Sequence, residues 1–233
     1  MTNIIGSRLN QAAAFALAKG MARQVALPIL TAYVKYARSY LTKAKNKKRG
    51  HRALEIGPGP KRIEGFETVN IVYGRDVDYI ADATKSLPFP SGTFDIVFAS
   101  HVLEHTPWFR LDQTIEEWVR VLKPGGQLEI WVPDGHKISA LIVDLEAGLQ
   151  RDEWRDDWRP FNSENDPFKW ANGRLLYGVR SDYPSWHQAI LTPKFLISLL
   201  SRAGLNHISL MEDTQTRGER HGWINLGVRG YKE

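Results

Sequence analysis

Short apolar runs alternate along the chain with longer segments of helical period. Residues 53–56, 68–72, 78–81, 94–99 and 127–132 are strand-length runs, and 111–122 carries Ile115, Trp118, Val119 and Leu122 on one face before Lys123-Pro124-Gly125-Gly126 closes it. A further helix is predicted over 192–203, with Thr192 as its N-cap and Pro193 at its first position. Alternating strands and helices predict an α/β architecture: a parallel sheet with helices on its faces and ligands bound beyond the carboxyl ends of the strands.

The first 50 residues follow a different pattern. They read as two helices broken near Pro28, the second with Leu30, Tyr33, Val34, Ala37 and Leu41 on one side and Lys35 and Arg38 on the other. Charge sets this segment apart. It holds ten basic residues and no acid; of the 31 Lys and Arg and 26 Asp and Glu overall, 21 basic and 26 acidic residues therefore fall in 51–233, a net −5 beneath the overall +5. The expected organisation is a basic helical arm over 1–50 and a second domain over 51–233. The arm either packs its apolar stripe on that domain or meets an anionic surface such as lipid headgroups. Nucleic acid is not expected, because the 43–49 cluster has no interleaved aromatics.

Composition narrows the class. At 42% apolar and 24% charged the chain is an ordinary globular protein, and the absence of Cys excludes a disulfide scaffold, a thiolate zinc site and a Cys nucleophile. The arm is cut by Lys19, Arg23 and Pro28, so no spanning helix is expected there. A cytoplasmic protein, peripheral at the inner membrane face, fits these features.

The first strand ends in Leu54-Glu55-Ile56-Gly57-Pro58-Gly59-Pro60. Glycines at 57 and 59 allow a sharp turn and close backbone approach to a ligand, although the third position of a G-x-G-x-x-G fingerprint holds Arg62. A tight structural loop and a cofactor loop are both open on that pattern alone. Glu55, an acid within an apolar strand, is placed to accept from loop amides or from a ligand ammonium.

This set, followed by Ala81-Asp82-Ala83-Thr84, then Phe94 to His105, then Glu117 to Gly126, resembles class I S-adenosylmethionine-dependent methyltransferases of the type 11 group. The resemblance implies a Rossmann-like, mostly parallel seven-stranded sheet whose last strands, near 207–211 and 223–231, form an antiparallel end. It implies S-adenosylmethionine as cofactor and S-adenosylhomocysteine as product. Glu55, Gly57, Pro58 and Gly59 would hold the amino acid part of the cofactor, Asp82 and Ala83 the adenine, and Ser100 with His101 the methionine portion. One position departs: where the family has an acid for the ribose hydroxyls, this chain has Asn70, with Asp76 or Asp78 as substitutes. An amide can serve both hydroxyls but without a charge.

Methyl transfer to a hydroxyl benefits from a general base. The candidates are His101, after the fourth strand, and His187, ahead of the 192–203 helix, with Asp134 secondary. Each has a structural alternative: His101 lining the cofactor, His187 fastening the helix start, Asp134 capping the helix after the fifth strand. Glu104 and His105 follow His101 at a spacing that fits a metal face, but they are read here as a helix-start pattern and no metal is expected. His187 before Leu191-Thr192-Pro193, and a late His221-Gly222-Trp223, are similar to methyltransferases found near glycan-assembly enzymes.

The 150–186 stretch gathers Trp154, Trp158, Trp170 and Trp186 with five arginines, and is expected to form an acceptor site, a lid or an oligomer interface. Its Trp and Arg suit a saccharide, nucleotide-sugar or glycolipid acceptor. The expected function is O-methylation of a saccharide or glycoconjugate. A small-molecule O- or N-methyltransferase and a non-catalytic binding module are the alternatives, and homo-oligomerisation is compatible with each.

Overall fold

The computed structural model describes residues 24, 26–59, 62–150, 154, 166–177, 186–211, 215, 217–218 and 221–233. Seven strands form one sheet in the order β3-β2-β1-β4-β5-β7-β6: β1 (Ala53–Ile56), β2 (Phe66–Asn70), β3 (Tyr79–Ile80), β4 (Phe94–Ser100), β5 (Leu122–Pro133), β6 (Leu205–Met211) and β7 (Asn225–Lys232). All four residues of β1 are buried, as a central strand covered on both faces requires. It pairs in parallel with β2 on one side and β4 on the other, Ile56 standing opposite Val69 and Ala99. The chain order therefore reverses at β1 and β4, which opens a crevice at their carboxyl ends. β7 lies antiparallel between β5 and β6, so the expected antiparallel end is present.

β5 begins earlier than its apolar pattern predicts. Lys123 to Gly126 extend the strand instead of forming a free loop, because Leu122 pairs with Phe94 across an irregularity that absorbs the glycines.

Helices α2 (Leu111–Arg120), α3 (Gly135–Glu146), α4 (Pro167–Asn172) and α5 (Pro193–Arg202) follow an initial α1 (Ser39–Asn46). The periodic face of α2 is buried at Ile115, Trp118 and Val119, and the Trp118 indole donates to the Ala83 carbonyl at 2.9 Å. α5 begins at Pro193 as predicted, though Thr192 makes no side-chain cap. A second apolar cluster joins Ile138, Leu141, Trp154, Trp170 and Ile224, with Trp170 stacked on Trp223 at 5.8 Å.

The arm docks by a different face from the one its amphipathic pattern predicts. A π-helical turn, Tyr33–Arg38, leads into α1, and of the apolar stripe Val34 is buried while Leu30, Tyr33 and Leu41 are exposed. Arg38 donates to the Arg75 carbonyl at 2.6 Å and pairs with Asp78 at 3.4 Å, and Lys43 lies over the rings of Tyr79 and Phe89. The edge of the sheet thus offers an acid and two aromatic faces, which attract cations more than aliphatic side chains. Among the described residues no helix is long and apolar enough to cross a membrane.

Candidate active site

The carboxyl ends of β1, β2 and β4 border a cavity of about 470 Å³, lined among others by Gly57, Asn70, Asp82, Ala83, His101 and His105. Gly57 holds φ +68°, and a Cβ there would come within 2.3 Å of Val102 Cγ2. Bare backbone is therefore required where the loop meets the cavity. Glu55 lies behind this loop: its carboxylate accepts from the Ile63 amide at 2.9 Å and fastens the turn. Burial raises its pKa, partly offset by that hydrogen bond and by Arg62.

The sequence candidates divide between the cavity and its supports. Asn70 lines the cavity, its side-chain oxygen accepting from the Ile71 amide at 2.7 Å. Asp82 lines it too, with one carboxylate oxygen held by the amide and hydroxyl of Thr84. Asp78 instead pairs with Arg62 and Arg38, so it clips the edge of the sheet together and does not replace Asn70. Ser100 faces another way, its hydroxyl accepting from Gln215 at 3.3 Å. The Asp134 carboxylate caps α3, accepting from the amides of His136 and Lys137 at 2.9 and 3.2 Å. Asp134→Ala is expected to cost ~1 kcal/mol of stability in denaturant unfolding and to leave S-adenosylhomocysteine affinity unchanged. An affinity loss without a stability loss would move this carboxylate into the cofactor site.

Beyond the cavity the histidines converge. After β4 the chain turns at His101, whose φ of +54° is unfavourable for a residue with a Cβ. The turn places Glu104 in the interior at 2% exposure. The segment before α5 is laid across this turn: the amides of Gln188 and Ala189 donate to the Glu104 carbonyl at 2.7 and 3.2 Å, and the Gln188 side chain donates to the His105 carbonyl at 2.9 Å. These bonds bring His187 to Glu104, with 4.0 Å between Nε2 and Oε1. His101 Nδ1 stands 3.3 Å from the same oxygen, and the His101 ring lies 3.6 Å from that of His221.

Burial lowers the His187 pKa to about 4, only partly opposed by Glu104. It lowers His221 to about 3, with the charges of His101 and Arg174 acting in the same direction. Both rings are neutral at pH 7. For Glu104 burial favours the neutral acid, but the His101 contact and the nearby His105 and His187 outweigh it and hold the carboxyl well below the usual range.

Sequence reasoning missed Asn225, Gln215 and Gln188, which acquire their roles only through tertiary contacts. His221 carried a signal in the late His-Gly-Trp. Of the four tryptophans expected to face an acceptor, Trp154 and Trp170 are core residues, Trp186 is 48% exposed, and Trp158 lies outside the described residues.

A family model described as a methyltransferase domain, type 11, matches residues 13–130, half of the chain. The chain belongs to this family. The match starts within the segment that the charge pattern sets apart as an arm. An uncharacterized methyltransferase of Mycobacterium sp. (strain KMS) is 28% identical over 159 residues, which span 60% of either chain. The 27-O-demethylrifamycin SV methyltransferase of Amycolatopsis mediterranei is 37% identical over 90 residues, 36% of this chain and 29% of that one. A Thermotoga maritima structure, described as a possible histamine N-methyltransferase, overlaps 94% of this chain and 97% of its own at 17% identity and a TM-score of 0.47. The activities in these names belong to those proteins and differ in the atom methylated.

The methyltransferase is S-adenosylmethionine-dependent, and its cavity fits that cofactor. Gly57 leaves room for close backbone approach, while Asn70 and Asp82 place polar side chains on the wall of the cavity.

Proposed function

We propose that this methyltransferase acts on a hydroxyl of a polar acceptor, a saccharide or glycoconjugate. The observation that carries this reading is the polar wall beside the cofactor cavity: His101, His105, Gln188 and Arg110 line the cavity, with Glu104 and His187 directly behind. Transfer to carbon in an apolar substrate would favour an apolar wall.

S-adenosylmethionine, when bound, supplies an electrophilic methyl group. The attacking oxygen, the methyl carbon and the sulfur must lie in line, so the chain contributes chiefly positioning and water exclusion. A hydroxyl must also lose its proton, and the histidine cluster is where that proton is handled. His105 lines the cavity, and His187, neutral at pH 7, is buried directly behind it as the base expected from the sequence. His101 acts as a positioning residue, since both of its ring nitrogens face protein oxygens. The exposed face of Trp186, next in sequence to His187, suits the C–H face of a sugar.

The test is an acceptor screen with a labelled methyl donor over nucleotide-sugars, free glycans, phenols and amines. Label recovered as a sugar methyl ether is the expected result. Label confined to phenols or amines would replace the saccharide with another small molecule, and no label in any acceptor would favour a binding module.

The exposed ridge of Leu30, Tyr33, Tyr36, Tyr40 and Leu41, beside Lys35, further supports peripheral contact of the arm with an anionic membrane surface. Sedimentation with anionic vesicles, lost on replacing Leu41 and Tyr40 by Ser, is the corresponding check.

A further inference from the structure

We infer that Glu104, His105 and His187 form a binding site for a divalent transition-metal ion, set between the cofactor cavity and the acceptor. The inference rests on the hydroxyl-transfer reading for the use of the ion, though not for its binding. One potential ligand atom from each residue lies within 4.8 Å of the other two.

The hydrogen bonding around Glu104 argues for a cation. His105 Nδ1 is 3.1 Å from the Trp186 carbonyl, which can only accept, so Nδ1 is the donor there and Nε2 is the nitrogen available as a ligand. For His101 the assignment runs through three side chains. Gln215 Nε2 donates to the Arg217 carbonyl at 2.7 Å, so Gln215 Oε1 accepts from Asn225 Nδ2 at 2.7 Å, and Asn225 Oδ1 accepts from His101 Nε2 at 3.0 Å. His101 Nδ1 stands 3.3 Å from Glu104 Oε1 without completing a hydrogen bond to it. His101 and His105 thus each set one ring nitrogen against an oxygen outside the cluster.

Neither Glu104 oxygen receives a hydrogen bond, and among the described residues its only ion-pair neighbours are imidazoles. A buried carboxylate with neither oxygen hydrogen-bonded is costly without a positive charge held against it. The His105–Trp186 carbonyl contact is also the kind of outer hydrogen bond that orients a metal-binding imidazole.

Two imidazoles and a carboxylate suit Zn²⁺ or Mn²⁺ better than Mg²⁺ or Ca²⁺, which prefer oxygen ligands. Metal bonds of about 2 Å place ligand atoms roughly 3.3 Å apart, so the ion would draw the three inward by about 1 Å. Three protein ligands leave a position open, and His105 also lines the cofactor cavity. An acceptor hydroxyl held there would lose its proton to solvent at neutral pH. Its oxygen forms the new O–CH₃ bond as the CH₃–S bond breaks, and the electron pair stays on sulfur. His187 is then a ligand and not the base. This departs from the sequence expectation of no metal, which saw Glu104 and His105 without the distant His187.

The test uses the full chain, stripped with chelator and titrated calorimetrically with Zn²⁺, Mn²⁺ and Mg²⁺, with S-adenosylhomocysteine titrated into the same preparations as a control for folding. One Zn²⁺ or Mn²⁺ per chain is expected. His187→Ala and Glu104→Gln should weaken it by on the order of 100-fold, and the exposed His136→Ala should leave it unchanged. If His187→Ala also loses S-adenosylhomocysteine binding, the more exposed His105→Ala decides. Protein that binds S-adenosylhomocysteine but takes up no ion, or His105→Ala that binds the ion as tightly as the parent, overturns the site. Ion binding without sugar methylation would leave the site standing and remove the acceptor reading; sugar methylation without ion binding would do the reverse.

Discussion

Gly57→Ala is expected to lower the affinity for S-adenosylhomocysteine by on the order of 100-fold and to abolish the thermal stabilisation that the ligand confers. Gly57 occupies the left-handed region at φ +68°, where an added Cβ costs about 1–2 kcal/mol. That Cβ would also stand 2.3 Å from Val102 Cγ2, so Val102 or the loop must move. Both residues line the cavity, and either shift changes its wall. Val102 directly precedes the Leu103–His105 turn, so its displacement also reaches the histidine cluster. Parent and variant should be melted with and without saturating S-adenosylhomocysteine, since a ligand that binds only the folded chain raises its melting temperature by mass action. Equal shifts in the two proteins would show that this loop does not touch the cofactor.

Acid should destabilise the chelator-treated protein well before its carboxylates titrate. His187 and His221 are neutral in the fold, with pKa values lowered from 6.5 to about 4 and about 3, chiefly by burial. The unfolded chain takes up these protons near the ordinary histidine value, so the associated stability is complete above that value. It is lost as pH falls from about 6.5 towards 4 and then 3. The linkage is on the order of 3 kcal/mol for His187 and 5 kcal/mol for His221. Glu104 acts lower: its depressed pKa contributes stability that is lost only as pH falls below the ordinary carboxylate range. Calorimetric melting between pH 7 and pH 5 should show a steep fall in melting temperature, with uptake of close to two extra protons on unfolding from these rings. His221→Asn should remove about half of that uptake. A melting temperature flat over this range would mean that the rings are not buried as neutral groups.

The sheet was legible because the physics that sets it is local. A short apolar run flanked by turn residues has few alternatives, and β1, β4 and α2 fall within a residue or two of their predicted limits. The early start of β5 was not legible, since Lys123 to Gly126 carry turn chemistry and become strand only through pairing with β4. The same holds for the arm. Its periodicity marks an apolar face, yet docking followed Asp78, Tyr79 and Phe89, which lie elsewhere in sequence. Within the site, Gly57 and Asp134 could be read from turn and capping rules. The convergence of His187 on Glu104 could not, because it depends on backbone hydrogen bonds between segments distant in sequence. Trp154 and Trp170 show the opposite error: aromatic composition suggested a binding face where packing placed a core.

The central claim is that the crevice where the strand order reverses holds the methyl donor. Calorimetric titration of the full chain with S-adenosylhomocysteine tests it most directly. The predicted result is saturable binding at one equivalent per chain; a folded protein that gives no binding heat at any temperature tried, and no change in tryptophan fluorescence, would contradict it.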